Sequence, residues 1–176
     1  MIKHRWFSPE EWKWLQHVVP ITCVDILPVR HCQNAQKRDV LSVGLILRDT
    51  PHQGRRWCLI GGRLCHGEPL RHAIRRQTRE TLGRSVRPVL KAAPTPLYVA
   101  EYSPSGKYPF LLDPRQHSVG LTYALEIRGV PVPTGEAIRF KWFEVESLPA
   151  PKQFGFGQDR VVAACVKQLR SQSSAS

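Results

Sequence analysis

Residues 61–84 decide the fold, and they read GGRLCHGEPLRHAIRRQTRETLGR. A short apolar strand, residues 57–60, precedes the two glycines, and residues 68–82 carry apolar side chains at helical spacing. The glycine that follows them stands where a helix usually ends. Arg76 and Glu80 are four residues apart, so they share a helical face and can pair. The stretch therefore predicts a strand, a glycine turn, a loop and a charged helix.

The rest of the chain alternates strands and helices around this stretch. Ser8, Pro9 and Glu11 form a capping-box pattern, which predicts an N-terminal helix over residues 8–18. Apolar, β-branched segments predict strands at 21–29, 39–48, 96–102, 117–127 and 138–145, and a last helix is predicted at 157–169. Strands mixed with three helices indicate one α/β (α+β) domain, a layered sandwich over residues 1–170. Residues 171–176 predict a disordered tail.

Composition excludes several classes of protein. A chain of 176 residues is about one domain, and 41% hydrophobic with 23% charged residues is ordinary globular usage. The longest unbroken apolar run is about five residues, far below the roughly 18–20 that a membrane helix needs. No signal peptide is visible at the start. Five cysteines without a CxxC pair argue against a disulfide framework or a zinc ribbon. We therefore expect reduced thiols, a cytoplasmic location and no membrane partner.

The positive charge is concentrated in one quarter of the chain. The formal net charge is +12, and residues 48–91 hold 11 Lys or Arg against 3 Asp or Glu, a net of +8. Such a local field favours an anionic partner, such as a nucleotide, a nucleic acid or an acidic protein. Arg71, Arg75, Arg79 and Arg84 form a basic face of the predicted helix. Solvation is the ordinary explanation of that face, and contact with RNA or an acidic protein is the alternative.

The spacing of residues 62–84 resembles the box of the Nudix hydrolases. That box is a glycine, five residues, a glutamate, seven residues and then Arg-Glu-apolar-any-Glu-Glu-any-Gly. Gly62, Glu68, Arg76, Glu80 and Gly83 all fall in register, and five anchors over about 22 residues are far more specific than a single glycine motif. The resemblance implies a Nudix-type α/β/α sandwich with a mixed central sheet.

The box is degenerate at three positions. Gln77 replaces the glutamate after the arginine, Thr78 replaces the apolar residue, and Thr81 replaces the second glutamate of the pair. Family members use those carboxylates to bind divalent cations and, in some cases, to activate water against a pyrophosphate. A neutral amide and a neutral hydroxyl are poor substitutes at Mg²⁺. The resemblance then implies a single-ion site for Mg²⁺ (or Mn²⁺), in which Glu80 is the remaining carboxylate of the helix.

One branch of the family, the GDP-mannose mannosyl hydrolases, departs from the box in a similar way. It has Arg-apolar-Thr where this chain has residues 76–78. Arg48, 14 residues before Gly62, and Arg63, directly after it, match substrate arginines of that branch. His117 also stands where the branch has a histidine. By this resemblance Arg48, Arg63 and His117 are expected to bind substrate, and Arg76 to offset phosphate charge or orient Glu80.

The same resemblance implies a metal site and leaves the catalytic base open. Gly61 would supply a backbone carbonyl, Glu80 a carboxylate from the helix, and Glu136 the late ligand of the branch. The branch places its catalytic histidine directly after that ligand, where this chain has Ala137. Either another group activates water, or water attacks phosphorus, or the site is inactive; Glu136 and a metal-bound hydroxide are candidate bases.

Three functions follow from these observations. The first is an Mg²⁺-dependent hydrolase, with Glu80 and Arg76 as catalytic residues, acting on a nucleoside diphosphate linked to a sugar such as that of GDP-mannose. The second is a Nudix-fold protein that has lost turnover and binds a nucleotide or a nucleotide sugar. The third is an RNA-facing protein, which the +12 charge favours although no aromatic stacking platform is legible. Trp6, Trp12 and Trp14 near the start either pack on the core or form a homodimer contact.

Overall fold

The computed structural model describes residues 7–33 and 39–173. These residues form three α-helices and nine strands. The helices are α1 (Pro9–Val18), α2 (Leu70–Leu82) and α3 (Gln158–Ser173). The strands are β1 (Ile21–Gln33), β2 (Asp39–Thr50), β3 (Gly54–Cys58), β4 (Ile60–Arg63), β5 (Arg87–Pro88), β6 (Tyr98–Ser103), β7 (Leu111–Leu112), β8 (Ser118–Arg128) and β9 (Arg139–Glu144).

The strands form a mixed sheet with β1 near its centre. The order is β3-β2-β1-β8-β6-β7, with β4 paired to β1, β5 to β8 and β9 to β2. Strands β1 and β8 run parallel, whereas β1 pairs antiparallel with β2 and β4. Every residue from Val24 to Val29 is buried, as expected of a strand covered on both faces. The predicted α/β/α sandwich with a mixed central sheet is therefore confirmed.

The helices contact the sheet through their apolar faces. Helix α2 packs against β1 and β4, and helix α3 packs against β6. Helix α1 buries no residue, and its first turn is held by the predicted capping box between Ser8 and Glu11. No helix within the described residues is long and apolar enough to span a membrane.

The structure corrects three predicted boundaries. Gly61 and Gly62 lie inside β4 and pair with Asp25 and Val24 across the sheet, so they do not form a turn. Helix α2 begins at Leu70, two residues later than predicted, because Glu68 is drawn into the preceding loop by Arg76. Helix α3 continues to Ser173, past the predicted start of the tail. Residues 174–176 lie outside the described part of the chain.

Candidate ligand-binding site

Arg76 organises the loop between β4 and α2. Its Nε and Nη2 atoms donate to the two carboxylate oxygens of Glu68 at 2.7 and 2.8 Å, and Nη2 also donates to the carbonyl of Arg63 at 3.1 Å. Glu68 in turn accepts from the backbone N–H of Cys65. The hydrogen bonds from Arg76 are the main reason that the pKa of Glu68 lies below its ordinary value. The two charged box residues thus fix the loop that leaves β4.

Glu80 lies on the outer side of α2. The predicted pair with Arg76 forms, with Nη1 at 3.2 Å from Oε2, and 60% of the Glu80 side chain is exposed. The inward-facing positions of the box belong to Gln77 and Thr81, which are both buried. The Gln77 amide packs so closely on Gly62 that a Cβ there would lie 2.5 Å from Nε2. Neutral side chains therefore occupy the face of α2 that meets β4.

Asp25 is an acidic residue at the centre of the sheet. It lies on β1 opposite Gly61 on β4, and its side chain also reaches Gly120 on β8. A Cβ on Gly61 would collide with Oδ1, and a Cβ on Gly120 would lie 2.5 Å from Oδ2. The two glycines thus leave the space that the Asp25 carboxylate occupies. Only 7% of the residue is exposed.

Burial controls the charge on Asp25. It raises the pKa of the carboxyl to about 7, against the opposing effect of the nearby Arg48 guanidinium. Among the described residues, none donates a hydrogen bond to this carboxylate. Buried polar groups in proteins almost always have a partner, so an exception needs an explanation. A ligand that donates a hydrogen bond is one such explanation.

Arg48 and Glu136 form an ion pair beside Asp25. The Nη1 atom of Arg48 lies 2.7 Å from Oε1 of Glu136, and 19% of the Arg48 side chain is exposed. Burial raises the pKa of Glu136, while Arg48 and Arg115 act in the opposite direction. The Nε atom of Arg48 is buried and has no hydrogen-bond partner. The site therefore contains a buried donor, the Arg48 Nε atom, without a partner among the described residues, and beside it a carboxylate, Asp25, to which none of them donates a hydrogen bond.

Asp25 and Arg48 both line a small cavity of about 90 Å³. Its polar lining combines four acidic or basic groups with neutral hydrogen-bonding side chains. The principal polar residues are Asp25, Arg48, Tyr102, Asp113, Arg115, Gln116 and Gln158. Asp113 forms a two-bond ion pair with Arg115 at 2.9 Å for each bond, so both arginines of the lining already have a carboxylate partner. The volume equals that of about three water molecules, which is room for one small polar group.

The predicted substrate residues do not all meet in this cavity. Arg48 and Gly61 line it, whereas Arg63 stacks its guanidinium on the Trp12 ring of α1 at 4.2 Å. His117 faces a separate groove below the end of α1, and its ring meets Phe110 edge-on at 5.8 Å. The Nε2 atom of His117 is buried and has no partner among the described residues. Phosphate contacts by Arg48 and Arg63, and a substrate contact by His117, stay predictions.

Sequence reasoning missed several polar residues of the cavity. One signal in the sequence does point to Asp25, because an acidic residue inside an apolar run is unusual and calls for a partner or a ligand. Asp113 and Arg115 lie in a proline-rich segment where no pattern distinguishes them from surface charges. Tyr102 and Gln158 meet across 56 residues of sequence, with Gln158 Nε2 donating to the Tyr102 hydroxyl at 3.4 Å. Only the folded chain shows that these residues share one cavity.

The side chains present do not fit a cation held by several carboxylates. Within residues 7–33 and 39–173, no group of three or more His, Cys, Asp or Glu side chains could hold a metal ion. Glu80 turns outward to Arg76, and Glu136 is bound to Arg48. Gln77 and Thr81, which face inward, are neutral. The predicted set of Gly61, Glu80 and Glu136 therefore stays a prediction.

Comparison with solved structures shows which fold this is. A protein from Jonesia denitrificans, described as a possible asymmetric diadenosine tetraphosphate hydrolase, is 29% identical, with a TM-score of 0.75 over 86% of this chain and 95% of that one. A MutT Nudix hydrolase from Burkholderia pseudomallei is 21% identical, with a TM-score of 0.61 over 84% and 96% of the two chains. The Nudix domain of Shewanella oneidensis NrtR, solved with ADP-ribose, is 15% identical, with a TM-score of 0.58 over 93% and 94%.

Comparison with protein families adds the closer relationship. No curated protein matches the sequence. One family profile, described as a domain of unknown function (DUF4916), matches residues 3–169, which is nearly the whole chain. The fold of the molecule is that of the Nudix hydrolases, and by this match the chain belongs to the DUF4916 family.

Proposed function

We propose that this protein binds a nucleoside diphosphate derivative that carries a hydroxyl-rich group, such as a nucleotide sugar, and that binding is its main activity. The observation that carries the proposal is that two groups lining the cavity lack a partner among the described residues: the Asp25 carboxylate, to which none of them donates a hydrogen bond, and the buried Arg48 Nε atom. A hydroxyl group donates and accepts at once, so it can satisfy both. The cavity volume of about 90 Å³ admits only that end of the ligand.

The charges of the cavity favour a neutral group at this position. Arg48 is paired with Glu136, and Arg115 with Asp113, so a phosphate beside Asp25 would meet little uncompensated positive charge. The diphosphate is better placed outside the cavity, where Arg63 lies against α1. ADP-ribose in the NrtR complex and GDP-mannose both combine a diphosphate with a hydroxyl-rich group, and they are the first ligands to test.

Calorimetric titration of the full chain with a ligand panel tests the proposal. The panel is GDP-mannose, ADP-ribose, diadenosine tetraphosphate and GDP, and the variant is Asp25→Asn. A hydrogen bond to a charged group contributes about 1.5–3 kcal/mol, so we expect Asp25→Asn to weaken the sugar-bearing ligands about tenfold to a hundredfold. Asp49→Asn is the matched control, because Asp49 is exposed and pairs with Arg55 outside the cavity. Equal affinities for both variants, or no binding of any ligand, would overturn the proposal.

The second candidate function is hydrolysis of the same ligands with Mg²⁺ (or Mn²⁺). The observation that favours it is the contact between α2 and the loop before Glu136, where the Thr134 hydroxyl donates to the Glu80 carbonyl at 2.7 Å. The two acidic segments are thus neighbours in space. Turnover in ¹⁸O water, with Glu80→Gln as the control, distinguishes the outcomes. Label in the free sugar indicates attack at carbon, label in phosphate indicates attack at phosphorus, and no turnover leaves binding alone.

Two finer expectations belong to the same proposal. A homodimer through α1 is consistent with the Trp14 side chain, which is 64% exposed; Trp6 lies outside the described residues. Sedimentation of the wild type and of Trp14→Ala tests it, since a dimer held by this residue would dissociate in the variant.

The five cysteines are free thiols, and a cytoplasmic location stays a prediction.

A further inference from the structure

The outer side of α2 carries arginines that the ligand-binding site does not use. Arg75, Arg79 and Arg84 line a groove of about 700 Å³ with His72 and Thr134. These three arginines are exposed and make no ion pair with any described residue. The two glutamates of the same groove, Glu68 and Glu80, are both bound to Arg76. The four arginines of the lining, Arg76 included, exceed these two glutamates by two, so the groove keeps a net charge of +2.

The positive surface continues beyond the groove at both ends. Arg71 precedes Arg75 by one helical turn, and Arg87 and Arg128 stand directly opposite each other on β5 and β8. Like charges that face each other across a strand pair destabilise a sheet, so the stability of the fold does not explain why both positions are arginine. Glu126 is the acidic residue of β8, the strand that carries Arg128. We call the six residues the arginine band, which consists of Arg71, Arg75, Arg79, Arg84, Arg87 and Arg128.

The spacing of the arginine band indicates an extended partner. Arg71, Arg75 and Arg79 alone extend about 12 Å along the helix axis, at 1.5 Å per residue. A single phosphate would use only one or two of these side chains. The partner must carry several negative charges in succession along its length.

The side chains of the groove indicate what kind of polyanion this is. Protein interfaces depend on buried aromatic and aliphatic residues, and the described residues that line this groove include no Phe, Tyr, Trp, Leu, Ile, Val or Met. Arginine instead makes paired hydrogen bonds with phosphate oxygens. Contacts to phosphates alone position a nucleic acid without reading its sequence. We propose that the arginine band binds the phosphodiester backbone of a nucleic acid, independently of base sequence.

Fluorescence anisotropy of the full chain with labelled oligonucleotides tests this proposal. The probes are a single-stranded RNA and a duplex DNA, each of two unrelated sequences, titrated over a range of NaCl concentrations. The variant is Arg75→Gln/Arg79→Gln/Arg84→Gln. The control is Arg139→Gln/Lys152→Gln/Lys167→Gln, which removes the same charge from exposed residues elsewhere. Arg76 is left unchanged because it holds the loop before α2.

We expect the band variant to lose affinity tenfold or more at fixed salt, and the control to lose little. Each lost phosphate contact lowers the slope of log K against log salt by about 0.7 for a single strand and 0.9 for a duplex, so three contacts lower it by about 2–3. The probe that binds more tightly identifies the kind of strand. Equal losses of affinity in both triple variants, or no binding at low salt, would overturn the proposal. Poly-glutamate, added as a competitor, would also overturn it if it displaced the labelled oligonucleotide as well as an unlabelled oligonucleotide does.

Discussion

Asp25 determines the electrostatics of the cavity. A carboxylate placed between two glycines of neighbouring strands loses most of its hydration, and the nearby Arg48 compensates only part of that loss because it is shared with Glu136. The result is a carboxyl that is half protonated near neutral pH. A ligand hydroxyl that donates to the ionised form would favour proton release. The affinity of a sugar-bearing ligand is therefore expected to rise with pH through about 7.

The same residue makes the stability of the fold depend on pH. The pKa of Asp25 is 3.8 ordinarily and about 7 in the folded chain. Between these values the folded state holds more protons than the unfolded state, so stability decreases as pH rises through this window and then levels off. We expect Asp25→Asn to raise the melting temperature relative to wild type at pH 8, and we expect that advantage to be clearly smaller at pH 5, inside the window. A difference that is the same at both pH values would contradict this account.

Glu68 and Glu80 both contact Arg76, yet their contributions to stability are expected to differ. The Glu68 carboxylate is only 10% exposed and makes two bonds to the guanidinium, whereas Glu80 is 60% exposed and makes one. We expect Glu68→Gln to lower the free energy of unfolding by about 1–3 kcal/mol. The matched variant Glu80→Gln is expected to stay within about 0.5 kcal/mol of wild type. Urea unfolding measures both, and similar losses would show that Arg76 does not distinguish the two carboxylates.

The sequence predicts some of these side-chain contacts and not others. The spacing of Arg76 and Glu80 predicts their pair correctly, because a helix fixes which residues are neighbours. It does not predict that Arg76 also binds Glu68 with two bonds, since that depends on how the loop folds back. The unsatisfied atoms of Asp25 and Arg48 are likewise invisible in the sequence. Their neighbours come from β4, β8 and the loop before β9.

At the scale of the elements, the glycines of β4 and β8 make the site possible. Strand pairing brings Gly61 and Gly120 to the two sides of Asp25. The pattern of residues 57–84 correctly predicts a strand followed by a helix, but it predicts a turn at Gly61 and Gly62, which lie inside β4. Glycines are frequent in turns because they tolerate unusual backbone angles. Here they are needed because a neighbouring side chain occupies the space of a Cβ, which depends on strand register.

This interpretation of Gly120 can be tested by a double variant. An alanine Cβ would lie 2.5 Å from Oδ2 of Asp25 and 3.2 Å from the Tyr102 ring. We expect Gly120→Ala to lower the free energy of unfolding by about 1–3 kcal/mol, as overpacking usually does. In an Asp25→Ala background the collision is removed, so the same change should cost clearly less. Equal costs in the two backgrounds, measured by urea unfolding, would place the strain elsewhere.

At the scale of the whole molecule, a Nudix sandwich is combined with a site of different chemistry. The Nudix-type sandwich follows from the box spacing, which Gly62, Arg76 and Gly83 keep although Gln77 and Thr81 replace two of the carboxylates. The activity does not follow from the fold. The scaffold presents neutral, buried side chains at Gln77 and Thr81 on one side of α2 and exposed arginines of the arginine band on the other. Gln77, Thr81 and the first three arginines of the band lie on α2, and the sequence shows the two substitutions without showing which way they face.

This Nudix fold is expected to bind its ligand through Asp25 and Arg48 without a divalent cation. The most direct test is the dissociation constant of the best ligand of the panel, measured by calorimetry in EDTA and again with Mg²⁺. We predict that the two dissociation constants agree within a factor of about two, which corresponds to a difference of about 0.4 kcal/mol in the free energy of binding. Binding that appears only when Mg²⁺ is added would contradict the account and restore the metal-dependent hydrolase as the leading function.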